Sequence, residues 1–239
     1  MIVVEISRGN PISMELEKLC SARHIEKLEF EETDLTVAEH RKLVSVLKNI
    51  TLIPFQNRIE KMRQIKRPDE IKHIRTACRI TDECFTYILP KLVPGVTEPE
   101  IAWEMQSFFR KNGASDAFSP IVAFNAHSSM PHYIPSDNTT LTNNSVILLD
   151  FGARVNGYCA DMTRVVFLGK PKPEWVKAYT TVLTAEQKAL ELLSKGEKNG
   201  ATLDQAARDC LSAAGLPIYP HSLGHNVGLA IHEGPRLSV

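Results

Sequence analysis

Two aspartates in an apolar hairpin constrain this chain more than any other feature. Residues Leu148–Phe167 read LLDFGARVNGYCADMTRVVF. An Asn-Gly pair between apolar runs marks a two-residue turn, here Asn156–Gly157. With that turn, Val155 faces Tyr158, Gly152 faces Asp161 and Asp150 faces Thr163. Side chains alternate between faces along a strand. Asp150, Gly152, Asp161 and Thr163 therefore share one face, and Leu149, Phe151, Ala160 and Met162 share the other, apolar one. The two aspartates become diagonal neighbours, roughly 7–8 Å apart at Cα, with no side chain on Gly152 between them. Carboxylates this close on a mostly buried sheet repel and resist ionisation. A bound cation neutralises both and fixes their geometry. Sliding the turn by one residue would separate them onto opposite faces. The bland alternative is a pair of exposed strand aspartates partnered by Arg154 or Arg164.

Histidines favour the cation. HSLGHNVG spans His221–Gly228 and AIHEGPR spans Ala230–Arg236. Gly224 and Gly228 flank His225 and let its backbone approach a neighbour closely. If this segment is extended, His225 and His232 cannot be assumed to share one face, and they would more naturally do different jobs. His132, in MPHY, is a third candidate from another loop. Two aspartates and one histidine suit Mn²⁺, Co²⁺, Fe²⁺ or Zn²⁺ in a mixed oxygen and nitrogen site.

The rest of the chain organises around this segment. Residues 1–62 alternate short α and β patterns: IVVEIS as a β-rich start, SMELEKLC helical, HIEKLEF strand-like, TVAEHRKLVSVLKNI helical. A helix should open at Pro68, with Ile71, Ile74, Ala77, Cys78, Ile80, Phe85 and Ile88 on its apolar stripe. Pro94–Gly95 interrupts it. TEPE at Thr97–Glu100 is a capping box for a second helix, which carries Ile101, Met105, Phe108 and Phe109 and ends at Gly113. IVAF is a strand leading into a polar loop with His127 and His132. Glu174–Ser194 reads as a long amphipathic helix, and TLDQ at Thr202–Gln205 as the cap of another, closed by Gly215. The order of two helices then strands occurs twice.

Composition sets the class. The chain has 239 residues, no net charge, 43% hydrophobic and 23% charged residues. This is a globular composition with nothing to attract nucleic acid or an anionic membrane. There is no signal-peptide pattern and no apolar run of the ~20 residues that span a bilayer. Five cysteines, an odd number without a C-x-x-C pair, argue against a disulfide framework and structural zinc. They are expected to be buried free thiols in a cytoplasmic protein.

Taken in order, PHY (Pro131–Tyr133), DFGARVNGYCADMTR (Asp150–Arg164), SLGHNVG (Ser222–Gly228) and HEGPR (His232–Arg236) resemble the creatinase/aminopeptidase P/prolidase family. MRQIKRPDEIKHIRTA (Met62–Ala77) is similar to that family's entry into its catalytic domain. The resemblance implies an α+β chain. A remnant of a small α/β N-terminal domain (1–62) would precede a pita-bread catalytic domain (63–239) that is incomplete at its C-terminus. It implies a proline-specific metallopeptidase, an Xaa-Pro aminopeptidase or dipeptidase, acting on peptides with proline at the second position. Two divalent ions are implied, manganese first, with cobalt, zinc or iron as alternatives, and so is a homodimer. By motif, Asp150, Asp161 and His225 are metal ligands, His132 and His232 contact substrate and serve catalysis, and Arg236 lines the substrate site. The family's two glutamate ligands fall beyond Val239, so this chain is expected to be a fragment inactive by itself. Asn226 stands where the family commonly has glycine. Glu233 matches a position that is not a ligand. A non-catalytic pita-bread module that binds peptides or proteins is the alternative. The N-terminal remnant argues against a methionine aminopeptidase, and the retained ligand pattern against a creatinase.

Overall fold

The structure, a computed structural model, describes residues 5–136 and 138–238. Half of the expected IVVEIS strand, residues 2–4, lies outside them, and Glu5–Ser7 are not in a strand. The chain divides into two compact units, Met1–Met62 and Arg63–Val239.

The first unit starts with α1 (Ile12–Ala22), followed by β1 (Lys27–Glu31), α2 (Val37–Val46) and β2 (Thr51–Phe55). β1 and β2 pair in parallel, Lys27 opposite Thr51 through Glu31 opposite Phe55. A parallel pair needs a crossover, and α2 supplies it. Its start is fixed by Thr36, which accepts from Glu39 N while Glu39 accepts from Thr36 N. The expected helix over TVAEHRKLVSVLKNI therefore stops early, and the next apolar residues form β2. α3 (Arg58–Gln64) follows.

In the second unit, α4 (Pro68–Ile88) and α5 (Glu98–Lys111) form where proline and the Thr97–Glu100 capping box predict them. Gly113 stands at φ 71° just past α5, the left-handed position that ends helices. β3 (Ser115–Asp116) and β4 (Ile121–Phe124) come next. The hairpin is then built from β5 (Ser145–Phe151), β6 (Ala153–Val155), β7 (Tyr158–Cys159) and β8 (Met162–Leu168). Asn156 and Gly157 turn it with φ 49° and 88°, positive at both central positions as a type I′ turn requires. Asp150 stands opposite Thr163 and Val155 opposite Tyr158, the expected register. One difference is that the ladder breaks at Gly152. The inner half joins β4 in a sheet of order β4-β5-β8, and the outer half joins β3 in a sheet of order β3-β6-β7.

Strand alternation then sets what is buried. Ile147, Leu149 and Phe151 are 0% exposed on one face of β5, while Asp150 is half-buried on the other. The buried face packs on α4 and α5 through Ile80, Cys84, Ile88, Ile101, Met105 and Phe109. The Thr81 hydroxyl accepts from Ala153 N at 3.0 Å, tying α4 to the hairpin just beyond Gly152. On α4 the stripe reading needs two corrections. Ile71 and Cys78 are exposed, because the core takes Cys84 on the face shared with Ile80 and Ile88. Cys20, Cys84 and Cys159 are buried, and Cys210 is intermediate.

α6 (Pro173–Ser194) and α7 (Gly200–Ala213) complete the helices. α7 starts earlier than TLDQ predicts. Asn199 is its N-cap, accepting from Ala201 N at 2.9 Å, so Thr202–Gln205 lies inside the helix. There Asp204 is buried and accepts from Tyr219 OH at 2.5 Å. β9 (Gly224–Asn226) and β10 (Glu233–Leu237) then pair antiparallel, with a register shift between Glu233 and Arg236. β8 is an edge of its sheet. Beside it opens a groove of ≈ 1250 Å³ lined by Thr163, Val165, Phe167, Tyr179, Val182 and Leu223, reaching Asp161 at one end. No helix among the described residues is long and apolar enough to cross a membrane.

Candidate metal centre

The hairpin delivers both aspartates to the face turned away from the core. Asp150 projects from β5, and Thr163 across the ladder donates to its Oδ1 at 3.0 Å. Asp161 lies at the break before β8, its side chain 26% exposed. Neither of the proposed arginine partners is directed at these carboxylates in the bonds it makes. Arg154 donates to Ala117 O and to Cys159 Sγ, and Arg164 donates to Thr163 O.

The β9–β10 hairpin brings His225 against Asp161, with Nε2 3.4 Å from Oδ2. His225 Nδ1 lies 3.1 Å from the carbonyl oxygen of Asn226. A carbonyl only accepts, so Nδ1 carries a proton in that bond and a neutral His225 has its lone pair on Nε2. Two acceptors, the Nε2 lone pair and a carboxylate oxygen, then face one another. A divalent cation between them would satisfy both. This is the tautomer a metal-ligating imidazole adopts, with its other nitrogen held by a backbone carbonyl.

His232 packs edge-on to His225 with ring centroids 4.4 Å apart. The two rings thus meet, although an extended segment gave no reason to assume a shared face. The register shift in β9–β10 folds the intervening residues back and joins the rings in one site. Arg236 stands directly opposite His225 on β10. Asn226 donates to Gly234 O at 3.2 Å, so the asparagine in place of glycine braces this hairpin. His132 is exposed on its loop at φ 55°, close enough for its charge to act on Asp150 and His232.

The electrostatics are those of a site short of positive charge. Burial raises the Asp150 carboxyl above its ordinary range; the Thr163 hydroxyl pulls it back and the Asp161 charge raises it again. Burial also raises Asp161, against the opposing pull of His225 and His232. Burial and the neighbouring His225 lower His232. A carboxyl raised in the folded state binds protons more tightly there than in the unfolded chain. Its contribution to stability is greatest at low pH and is lost as pH rises through the window from its unfolded to its folded value. In metal-free protein, Asp150→Asn should therefore raise the urea midpoint at pH 7 in EDTA, with the gain shrinking towards pH 4. A lower midpoint at pH 7 would contradict this.

Glu233 was expected not to be a ligand, and its bonds give it other work. Its side chain is 8% exposed and pairs with Arg63 and with Lys66, the latter at 2.9 Å. It also accepts from Ala230 N at 3.0 Å. A Cβ on Gly228 would come within 2.5 Å of its Oε2, so this glycine makes room for a buried ion pair. The residue that reading by motif missed entirely is Glu98, described below. Nothing distinguishes it in sequence from an ordinary acid in the first turn of a helix.

Among the described residues, no three His, Cys, Asp or Glu side chains converge closely enough to cage an ion by themselves. The donor chemistry fits a divalent cation: two desolvated carboxylates and an imidazole of the right tautomer. The donor count falls short of the five that the resemblance implies.

A strand pair presenting two carboxylates to a hairpin of histidines is the donor set of divalent-metal enzymes. The family model for metallopeptidase family M24 matches residues 72–239, and the chain belongs to this family. It is 36% identical over 217 residues to the uncharacterized peptidase YqhT of Bacillus subtilis, covering 90% of this chain and 61% of that protein. It is 35% identical over 234 residues to an uncharacterized peptidase of Staphylococcus aureus, covering 97% and 64%. Among solved structures, it matches the X-Pro aminopeptidase of Thermotoga maritima with a TM-score of 0.87 at 33% identity, over 97% of this chain and 66% of that one. The Xaa-Pro dipeptidase of Bacillus anthracis gives 0.87 at 35%, over 94% and 63%. The fold is thus the pita-bread fold of this family, and the chain spans about three fifths of the length of the curated relatives it matches.

Proposed function

We propose that this chain carries the first half of the active site of a proline-specific metallopeptidase, hydrolysing the bond between a first residue and a following proline. The observation that carries the reading is the meeting of Asp161, His225 and His232 from two hairpins about sixty residues apart in the sequence. The named activities of the two solved relatives, an X-Pro aminopeptidase and an Xaa-Pro dipeptidase, support this reaction class.

Asp150, Asp161 and His225 would hold the metal, with manganese the first candidate. When bound, a divalent cation pair supplies Lewis-acid polarisation of the scissile carbonyl and neutralises the carboxylates. The chain's own residues do the rest. Thr163 orients Asp150 through its hydroxyl, and Asn226 O orients His225. His232 and His132, from two different loops, would donate to the substrate carbonyl and move a proton to the leaving nitrogen. Arg236 offers a cation beside them for the substrate's carboxylate or carbonyl groups.

The test uses the full-length protein loaded with Mn²⁺ or Co²⁺ and dipeptides and tripeptides with proline at the second position. Hydrolysis with stoichiometric metal supports the reading. Tight binding of such peptides without hydrolysis, and without metal, would instead identify a non-catalytic peptide-binding module. Cleavage of dipeptides alone, or of longer peptides as well, separates dipeptidase from aminopeptidase.

A further inference from the structure

Glu98 opens α5, where an acid ordinarily sits in water and is favoured by the helix dipole. Here its side chain is 0% exposed. A buried carboxylate is costly unless donors surround it. Glu98 has four. Oε1 accepts from Phe124 N at 2.8 Å and faces His127 Nδ1 at 2.8 Å. Oε2 accepts from the Tyr133 hydroxyl at 2.7 Å and from Ser136 N at 3.0 Å. The Tyr133 and His127 rings also stack, with centroids 4.4 Å apart. Burial and the Glu98 bond push the Tyr133 hydroxyl up to about 12, so it stays a donor throughout the neutral range.

These contacts begin at the last residue of β4 and end at Ser136. They enclose the loop that carries His132. His132 itself is exposed and left-handed at φ 55°, a conformation that crowds the Cβ of any residue but glycine. Such a conformation persists where its surroundings over-determine it. The next residue, Tyr133, is held twice, directly by Glu98 and through the stacked His127. Phe124 and Ser136 fix the two feet.

We propose that Glu98 is the positioning residue of His132. It holds no metal and touches no substrate; it fixes the loop from which His132 projects. This rests on the reading of His132 as a substrate-contacting residue.

The experiment compares Glu98→Gln, His132→Ala and the double variant in the full-length, metal-loaded protein. Metal content, kcat and KM on a prolyl peptide, and amide hydrogen exchange over residues 127–136 are read together. Glu98→Gln turns an amide N–H towards one of the donors. Exchange in the loop should accelerate about tenfold, with metal content unchanged. The value of kcat should fall about tenfold with KM changed less than about twofold. The double variant should be no slower than His132→Ala alone. Unaltered loop exchange, or losses that multiply in the double variant, would overturn the proposal. A fall in metal content would do the same, since that marks a general structural role. His132→Ala at the wild-type rate would instead overturn the reading of His132 on which the proposal rests. Should Glu98→Gln fail to fold, Tyr133→Phe removes one donor and keeps the carboxylate. It is then expected to show the same pattern at about threefold, and a wild-type kcat and exchange would count against the proposal.

Discussion

On the proposed reading, Asp161→Ala is expected to reduce hydrolysis of prolyl peptides roughly 10³-fold, with metal stoichiometry falling at the same time. Asp161 is the residue that both halves of the site share. Its Oδ2 faces His225 Nε2, its charge raises Asp150, and it lies close enough to His232 to act on it. Removing it takes one of two carboxylates from the cation and leaves His225 without the group it faces. The scaffold should not suffer. Asp161 is desolvated and repelled by Asp150, so the metal-free variant should unfold at a urea concentration no lower than the parent. Lost activity with retained stability separates a ligand from a structural residue. Activity near the parent level would remove Asp161 from the chemistry, and a large fall in metal-free stability would make its role structural.

What could be read in advance divides along the range of the interactions. The α5 start was legible because Thr97 and Glu100 cap each other across three residues. The register of Asp150 against Thr163 was legible because Asn156–Gly157 fixes the turn and alternation does the rest. The start of α7 was misplaced because two local candidates competed, and Asn199 outcompeted Thr202. β2 was not legible, because TLIPF is a short apolar run, which periodicity alone does not assign. The meeting of His225 and His232 depends on an irregular register in a hairpin whose loop has no turn signature. Glu98 and Glu233 depend on partners 26 to 38 and 167 to 170 residues away, and no local pattern announces such pairs. The two aspartates proposed to hold metal were thus visible in the sequence, and the buried carboxylates Glu98 and Glu233, with their distant partners, were not.

The largest effect on stability is expected at the glycine between the aspartates. A Cβ built on Gly152 would lie 1.9 Å from Ala160 O, 2.7 Å from Ala160 C and 3.3 Å from Asp161 N. All three are backbone atoms, so no flexible side chain can swing away. Both strands are also pinned at this point. Gly152 O accepts from Ala117 N at 2.8 Å, and Ala160 N donates to Ala153 O at 2.8 Å. Relief would require opening the hairpin where it passes from one sheet to the other, beneath Phe151 and Ala153, which are both 0% exposed. Gly152→Ala should cost about 4 kcal/mol or more of unfolding free energy. Gly113 provides the contrast. It is left-handed at φ 71° with nothing within 4 Å of a built Cβ, so alanine there meets only backbone strain, about 1 kcal/mol. Urea unfolding of the two variants side by side distinguishes lack of space from lack of conformational freedom. Equal losses would mean that the close approach of Ala160 is not what fixes this glycine. The clash also reaches Asp161 N, so any Gly152→Ala protein that folds should bind metal more weakly. The residue that lets the two strands approach this closely is the same one that lets the two carboxylates share a face with nothing between them.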